Sequence, residues 1–229
     1  MFPVRWQNKK IGKSGYAPAC ANEWVRGVCN KPNIRCGECP NQAFIPVSDE
    51  IVERHLRGSG GGGRSTGDDF VAGVYPMLPD ETCWFLAIDF DKENWAADAL
   101  TVIETCVAKG VPAALERSRS GNGGHVWIFF SEPVAARLAR QLGSTLLTAT
   151  MERRPEISFS SYDRFFPSQD VMPTGGFGNL IALPLQRKAR ENADSLFVDQ
   201  GLRPYDDQWA FLSSLEDHRQ LQMWGAPLR

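Results

Sequence analysis

The apolar residues of this chain recur in two patterns that predict its secondary structure. From residue 70 onward, short apolar runs predict strands, and longer stretches with apolar residues on one helical face predict helices. The predicted strands span 70–78, 83–90, 111–116, 125–130 and 179–186, and the predicted helices span 93–109, 133–151 and 206–215. Pro133 suits the first turn of the second of these helices. Strands that alternate with helices indicate an α+β or α/β core.

The first 57 residues differ from the rest in composition. They carry nine Lys or Arg against five Asp or Glu, whereas the whole chain has a net charge of −2. A helix is predicted over Asp49–Arg57, with Ser48 as its N-cap. Six glycines then follow among the ten residues 58–67. We therefore expect a cysteine-rich module over 1–57, a flexible linker or loop over 58–69, and the main core over 70–229.

Four of the six cysteines define the character of the N-terminal module. Cys20, Cys29, Cys36 and Cys39 have the spacing C-x8-C-x6-C-x2-C, and Gly37 permits a tight turn between the last two. The alternatives are disulfides, an iron–sulfur cluster, a structural zinc site, and a cluster without function. The segment has few large apolar residues, so a metal would supply folding free energy that its small core lacks. Zinc is the interpretation that we favour.

The composition also limits the expected cellular location of the protein and the classes of partner that it could bind. No apolar run approaches the roughly 20 residues of a membrane-spanning helix, and residues 1–5 lack the pattern of a secretion signal. We expect a soluble, cytoplasmic protein without a membrane partner. The basic N-terminal module suits contact with a polyanion, and the acidic remainder of the chain suits metal binding.

Two carboxylates end the predicted strand 83–90. Asp89 and Asp91 project from the same face of an extended chain, about 7 Å apart. Two such groups repel each other unless a cation lies between them, and carboxylate oxygens are ligands for Mg²⁺ or Mn²⁺. The alternative is a strand end that runs into a solvated acidic turn.

A glycine-rich turn precedes the strand 125–130. Ser118, Arg119 and Ser120 supply hydroxyls and a guanidinium, Gly123 lets backbone N–H groups approach an anion, and His125 begins the strand. This composition predicts a phosphate site. The alternative is an ordinary hairpin in which His125 is a half-buried strand residue.

The order of these motifs resembles that of a known superfamily. Asp89-x-Asp91, followed by Ser118-x-Ser120-Gly121-x-Gly123-x-His125, is similar to the first two motifs of the archaeo-eukaryotic primases, or primase-polymerases. The stretches 162–170 and 175–186, together with the cysteine module, resemble the primase-polymerase domains of bacterial TOTE conflict systems, in which the domain is linked to a helicase. The resemblance covers about residues 3–215.

The resemblance implies a fold, a reaction and a set of site residues. The fold would be α+β, with an RRM-like sheet, flanking helices and the N-terminal zinc module. Asp89, Asp91 and a third carboxylate, for which we choose Asp163 over Asp170, would hold two Mg²⁺ or Mn²⁺ ions.

The resemblance also implies which residues meet the substrates. Ser118, Arg119, Ser120, Gly123 and His125 would bind the nucleoside triphosphate. The basic residues Arg187 and Lys188 are further candidates for phosphate or template contact.

The implied activity is DNA primase or DNA polymerase activity, with primer synthesis or primer extension on single-stranded DNA. A helicase is a candidate partner. Two other classes stay open from the residues alone. One is a metal-dependent nuclease, and the other is a non-catalytic, zinc-containing nucleic-acid-binding module.

Overall fold

The computed structural model describes residues 1–8, 12–58, 70–153 and 162–216. The strands in this part of the chain are Pro3–Asn8 (β1), Lys13–Pro18 (β2), Gly73–Val74 (β3), Thr82–Phe90 (β4), Ala114–Arg117 (β5), Gly124–Ala135 (β6), Arg164–Phe166 (β7), Ile181–Ala182 (β8) and Leu196–Val198 (β9). The helices are Asp49–Arg57 (α1), Trp95–Ala108 (α2), Ala136–Arg153 (α3), Arg187–Arg190 (α4) and Gln208–Glu216 (α5), and Cys36–Glu38 forms a 3₁₀ turn.

A five-stranded antiparallel sheet forms the centre of the fold. Its strand order is β7-β4-β6-β5-β9, and the long strands β4 and β6 lie in the interior of the sheet. Two short two-stranded sheets, β1-β2 and β3-β8, accompany it. The expected α+β class is confirmed at this level, with a mixed fold of one main sheet and flanking helices.

The two faces of the main sheet bury different groups. One face carries Leu86, Ile88 and Phe90, which pack in a single apolar cluster with residues of α2 and α3 such as Val102 and Leu146. The opposite face carries a second cluster, which includes Ala87, Ala114, Trp127, Phe166 and Phe197. This alternation follows from the two-residue period of a strand, which sends neighbouring side chains to opposite faces.

The N-terminal module packs against the core through α1 and the residues around the cysteines. His55 of α1 is buried, contacts the carbonyl oxygen of Pro184 through Nε2 at 2.9 Å, and accepts a hydrogen bond from the N–H of Ala72 at 3.0 Å. Phe44 packs edge-on against Phe177. The proposed boundary at residues 57–58 is therefore crossed by direct contacts in the folded chain.

The structure corrects three of the predicted elements. Pro133 lies in β6, not in the first turn of α3, because β6 continues alongside β4 until Ala135. Pro133 falls in the irregular stretch between two regular pairings, where the N–H that proline lacks is not required. The predicted strands 70–78 and 179–186 shrink to the two-residue strands β3 and β8.

The reason for the shortened strands is visible in the backbone. Pro76 and Pro79 interrupt the first of them. Pro184 is followed by Leu185, whose φ of 68° is incompatible with a strand. The other predicted strands and helices are present with shifted ends, and α1 has the predicted bounds.

Some predictions lie outside the described residues. They are the glycine-rich segment beyond Gly58 and the chain after residue 216. None of the helices in the described part of the chain combines the length and apolar character that a membrane span requires.

Candidate active site at one end of the sheet

Four charged or titratable side chains form a row across the main sheet. In the register of the strands, Arg164 of β7 lies opposite Asp89 of β4, Asp89 lies opposite His125 of β6, and His125 lies opposite Glu116 of β5. Directly opposed residues of antiparallel strands share a face. The sheet register therefore brings the predicted carboxylate motif and the predicted phosphate motif into direct contact.

His125 is held between two carboxylates. Its Nδ1 lies 3.0 Å from Oε2 of Glu116, and its Nε2 lies 3.5 Å from Oδ1 of Asp89. Burial lowers the pKa of His125, but the hydrogen bond with Glu116 and the negative charges of Glu116 and Asp89 outweigh burial, and the pKa lies above its ordinary value. The imidazole therefore tends toward its cationic form, which suits contact with an anion.

Asp89 lies in an environment that disfavours its negative charge. Burial raises the pKa of Asp89, and the nearby charges of Asp91 and Asp163 raise it further, although His125 and Arg164 act in the opposite direction. A cation held by these three carboxylates would offset that repulsion. The donor set, three carboxylates at one end of a sheet, suits Mg²⁺ or Mn²⁺.

Two basic side chains pair with these carboxylates. Lys92 places its Nζ 3.1 Å from Oδ1 of Asp91 and 4.0 Å from Oδ1 of Asp163. Arg164 forms an ion pair with Asp163, and its Nε lies 3.8 Å from Oδ2 of Asp89. Within the described residues, no three His, Cys, Asp or Glu side chains already converge as a set of metal ligands.

The structure separates the two candidates for the third carboxylate. The backbone N–H of Asp163 donates to the carbonyl oxygen of Asp89 at 2.8 Å, so Asp163 belongs to the same end of the sheet. Asp170 instead forms an ion pair with Arg140 of α3. Asp163 is thus the carboxylate that the fold brings to Asp89.

The serine–glycine turn closes beside this row. The N–H of Ser118 donates to the carbonyl oxygen of Gly123 at 2.9 Å, and the hydroxyls of Ser118 and Ser120 lie 3.1 Å apart. A Cβ at Gly123 would lie 2.6 Å from the carbonyl oxygen of Phe90 and 3.4 Å from Cα of Asp91. Gly123 is therefore required by the close approach of this turn to the end of β4, and Arg119 is exposed on the turn.

The basic residues Arg187 and Lys188 lie on α4, which is joined to the turn indirectly. Ser195 donates its N–H to the carbonyl oxygen of Ser118 at 3.4 Å, and its own carbonyl accepts from the N–H of Leu185, just before α4. Arg187 donates to the carbonyl oxygen of Arg57 at 2.7 Å, at the C-terminal end of α1. The guanidinium of Arg187 is therefore engaged in joining α4 to the N-terminal module.

The four clustered cysteines line one pocket. Cys20, Cys29, Cys36 and Cys39 surround it together with Lys31 and other polar residues, and all four are free thiols. Backbone hydrogen bonds from Lys31 and Trp24 lower the pKa of Cys29, which favours the thiolate form that binds metals. Among the described residues these thiols do not converge as a set of metal ligands, so the structure does not show the predicted zinc site.

The site contains residues that sequence reasoning did not select. Glu116 stands at the end of a predicted strand, and no role is expected from the sequence for Lys92 or Arg164. No local pattern marks Glu116, because its partner His125 is nine positions away and only the β5–β6 register joins them. The one indication that the sequence offers is an acidic residue within a predicted strand beside a Gly-rich hairpin, because an acidic residue that becomes buried there needs a partner.

Comparison with known proteins agrees with the arrangement of the motifs. The family described as the TOTE conflict system, Archaeo-Eukaryotic Primase domain, matches residues 1–224. The chain belongs to this family of nucleotidyl-transfer primase-polymerases, and the resemblance seen in the sequence is confirmed.

A search of solved structures and a search of curated proteins gave further results. The chain resembles the polymerase domain of Mycobacterium tuberculosis Ligase D in complex with DNA, with a TM-score of 0.47 and 14% identity, over 93% of this chain and 76% of that chain. The search of curated proteins found no match.

Proposed function

We propose that this chain is a DNA primase-polymerase that joins nucleotides on a single-stranded DNA template, by primer synthesis, primer extension or both. The observation that carries the proposal is the contact between Asp89 and His125. It unites a carboxylate cluster with an imidazole and a Ser/Gly turn, and it does so in a chain of the primase family. Nucleotidyl transfer needs both groups, since metal ligands and triphosphate contacts must lie side by side.

The carboxylates have the role of metal ligands in this proposal. Asp89, Asp91 and Asp163 would hold two divalent ions in place of their pairing with Lys92 and Arg164. Such ions supply activation of the attacking 3′-hydroxyl and charge stabilisation at the leaving pyrophosphate. The partial burial of Asp89 increases its interaction with a bound cation, because the local dielectric is lower than in water.

The turn and His125 have the role of triphosphate ligands. His125 directs Nε2 toward the space beside Asp89, and its raised pKa favours an N–H donor there. The hydroxyls of Ser118 and Ser120 and the guanidinium of Arg119 add donors at the tip of the turn. Together these groups orient the triphosphate and offset its negative charge.

We further propose that the four cysteines bind one structural zinc ion and that the N-terminal module contributes to template contact. Their common pocket and the lowered pKa of Cys29 support the first point. The excess of basic residues in the module supports the second. The resemblance stated in the sequence analysis supports a helicase as a further proposed partner, and Arg187 and Lys188 are candidates for contact with the DNA backbone.

The test is extension of a fluorescent primer annealed to a DNA template, with dNTPs or NTPs and Mg²⁺ or Mn²⁺. We expect the wild-type chain to lengthen the primer. Asp89→Asn with Asp91→Asn should reduce the rate at least about 10²-fold, the scale of removing charge stabilisation from a transition state. An unprimed template in the same assay reports primer synthesis.

Other outcomes would point to the other two classes. A primer that is shortened in a metal-dependent manner would indicate a nuclease. DNA binding that persists in the Asp89→Asn/Asp91→Asn variant, with the primer unchanged by the wild type, would indicate a non-catalytic binding module. Either result would overturn the proposed function.

A further inference from the structure

A buried carboxylate behind His125 has no role in the chemistry proposed so far. Glu116 lies on β5, and only 2% of its surface is exposed. A buried negative charge is unfavourable unless polar groups surround it. The contacts of Glu116 must therefore offset the unfavourable free energy of burying its carboxylate.

The partners of Glu116 are three polar side chains. Its Oε2 accepts a hydrogen bond from Nε1–H of Trp127 at 2.8 Å and lies 3.0 Å from Nδ1 of His125. Its other oxygen, Oε1, lies 3.5 Å from the hydroxyl of Ser195. A carboxylate only accepts hydrogen bonds, so Nδ1 of His125 must carry the hydrogen in this contact.

The indole of Trp127 fixes the carboxylate in turn. Trp127 is almost fully buried and packs against Phe85 and Phe129, with its ring centroid 5.1 Å and 5.8 Å from theirs. Its N–H therefore has a fixed position, and it directs Oε2 of Glu116 to the point that His125 also contacts. A rigid indole thus orients the carboxylate, which orients the imidazole.

The geometry also excludes direct contact between Glu116 and a substrate. The side chain of Glu116 is 3% exposed, whereas that of His125 is 15% exposed and lies on the side of Asp89. Any ligand at this end of the sheet meets His125 first. Glu116 can act on such a ligand only through the imidazole.

We propose that Glu116 is a positioning residue, which holds His125 by Nδ1 so that Nε2 stays directed at the space beside Asp89. This inference rests on the proposed function, in which that space receives the triphosphate of the incoming nucleotide. A free imidazole could rotate about its side-chain bonds and turn Nε2 away from that space. The hydrogen bond from Nδ1 to Glu116 opposes this rotation and fixes the hydrogen on Nδ1.

A double-mutant cycle tests whether Glu116 affects nucleotide incorporation through His125. Glu116→Gln keeps the shape of the side chain and removes its charge, and it should lower kcat/KM for nucleotide incorporation about 10–100-fold, the scale seen for residues that orient a functional His. In a His125→Ala background, Glu116→Gln should have no further effect, because its action passes through the imidazole.

A buried polar residue on the opposite face of the sheet provides the matched control. Thr150 of α3 is fully buried and hydrogen-bonds Thr105 of α2, and both helices pack on the face of the sheet opposite to the one that carries Glu116. Thr150→Val should lower the Tm without a comparable loss of kcat/KM. Any effect that it has should add to that of His125→Ala. An additive effect of Glu116→Gln and His125→Ala would overturn the positioning role.

A spectroscopic measurement tests the geometry without reference to activity. The chain has three histidines, so two-dimensional ¹H–¹⁵N spectra can resolve their ring nitrogens, and His125→Ala assigns the His125 signals. We expect hydrogen on Nδ1 of His125 in the wild type. His55 serves as an internal comparison, because its Nδ1 accepts from Ala72 and carries no hydrogen.

The two measurements distinguish the possible failures. Glu116→Ala should change the His125 ring signals and leave those of His55 unchanged. A wild-type His125 without hydrogen on Nδ1 would overturn the inference. An intact Nδ1–H signal in a wild type that neither makes nor extends primers would refute the proposed function, while the Glu116–His125 pairing itself would stand.

Discussion

His125 Nε2 lies 3.5 Å from Oδ1 of Asp89, across the central pair of strands β4 and β6. One residue belongs to the carboxylate motif and the other to the Ser/Gly motif, which are separated by a whole helix in the sequence. Through this contact the partly buried Asp89 has basic groups, His125 and Arg164, as well as acidic groups, Asp91 and Asp163, as neighbours. Substitutions at Asp89 should therefore change stability and activity in opposite directions.

Asp89→Asn should stabilise the metal-free protein at neutral pH. The pKa of Asp89 is raised by burial and by Asp91 and Asp163, so its ionised form is less favourable in the folded than in the unfolded chain. A carboxyl with a raised folded-state pKa contributes stability at low pH and loses it as the pH rises through that pKa. Removing the charge should therefore raise the Tm in the presence of a chelator.

Thermal melts with and without Mn²⁺ check this prediction. Mn²⁺ should raise the Tm of the wild type by binding the folded state, and it should raise that of Asp89→Asn less. The variant should also lose primer extension. A variant that melts below the wild type in chelator would show that the charge of Asp89 is stabilised by the metal-free site.

Asp163 and Asp170 should respond differently to the same substitution. The N–H of Asp163 is hydrogen-bonded to the strand that carries Asp89, whereas Asp170 pairs with Arg140. We expect Asp163→Asn to reduce primer extension at least about 10²-fold and Asp170→Asn to change it less than about threefold. The two variants are matched in chemistry, so equal losses would contradict the assignment of the third carboxylate.

Gly123→Ala should impair both stability and activity. Its Cβ would lie 2.6 Å from the carbonyl oxygen of Phe90, which would force the turn away from Asp91 at a cost of about 1–3 kcal/mol. Gly110→Ala is the matched control. Gly110 has a φ of +66° with no atom near its Cβ position, so alanine there costs stability through backbone strain, away from the site residues.

The comparison requires folding free energies from denaturant unfolding and primer-extension rates for both variants. Similar losses of stability with a loss of rate only in Gly123→Ala would support the role of this glycine in placing Asp91. Equal primer-extension rates in the two variants would contradict that role of Gly123.

The strands and the helix with strong hydrophobic periodicity could be predicted from the sequence, whereas the short strands at the edges of the sheet could not. The strands β4 and β6 and the helix α2 bury continuous apolar patterns, so their positions could be read from the chain. The three-residue strands β7 and β9 are too short to show a period of two. They form because the exposed edges of β4 and β5 offer hydrogen-bonding partners, which is a tertiary effect.

The candidate site was predictable to the same extent. Asp89, Asp91 and His125 occur in local motifs, and the fold brings them together. Asp163 was a choice between two nearby acids, which the β7–β4 pairing separates. Glu116 was not selected because its significance depends on register: a shift of one residue in the β5–β6 pairing would turn it to the other face.

Zinc removal should destabilise the N-terminal module. We expect about one zinc ion per purified chain by elemental analysis, as a four-cysteine site implies, and a Tm that falls when a strong chelator removes it. Cys36→Ser should lower both the zinc content and the Tm. Cys83→Ala is the control, because Cys83 is buried in the core and burial raises the pKa of its thiol to about 11.

Wild-type zinc content at background level would contradict the zinc assignment. Iron with a visible absorption band would instead indicate an iron–sulfur cluster. Cys83→Ala should keep its zinc content, although its Tm should fall because the core loses some packing. Cys36→Ser should lose both together.

His55 should make the attachment of α1 sensitive to mild acid. Its Nδ1 accepts the N–H of Ala72, its Nε2 contacts the carbonyl oxygen of Pro184, and burial lowers its pKa below the ordinary value of 6.5. The folded chain therefore holds the neutral ring, since a proton on Nδ1 would face the N–H of Ala72. A depressed folded-state pKa contributes stability above about pH 6.5, and this stability is lost as the pH falls below that value.

Thermal melts of the wild type and of His55→Gln at pH values between about 7.5 and 5.5 test this expectation. The raised pKa of His125 acts in the opposite direction, since it favours the folded state at lower pH, but it is common to both proteins and cancels in their difference. The wild type should be the more stable at the upper pH, and its advantage should shrink on acidification. A difference in Tm that is constant across the range would show that the pKa of His55 is the same in the folded and the unfolded chain, and that the α1 attachment is insensitive to pH.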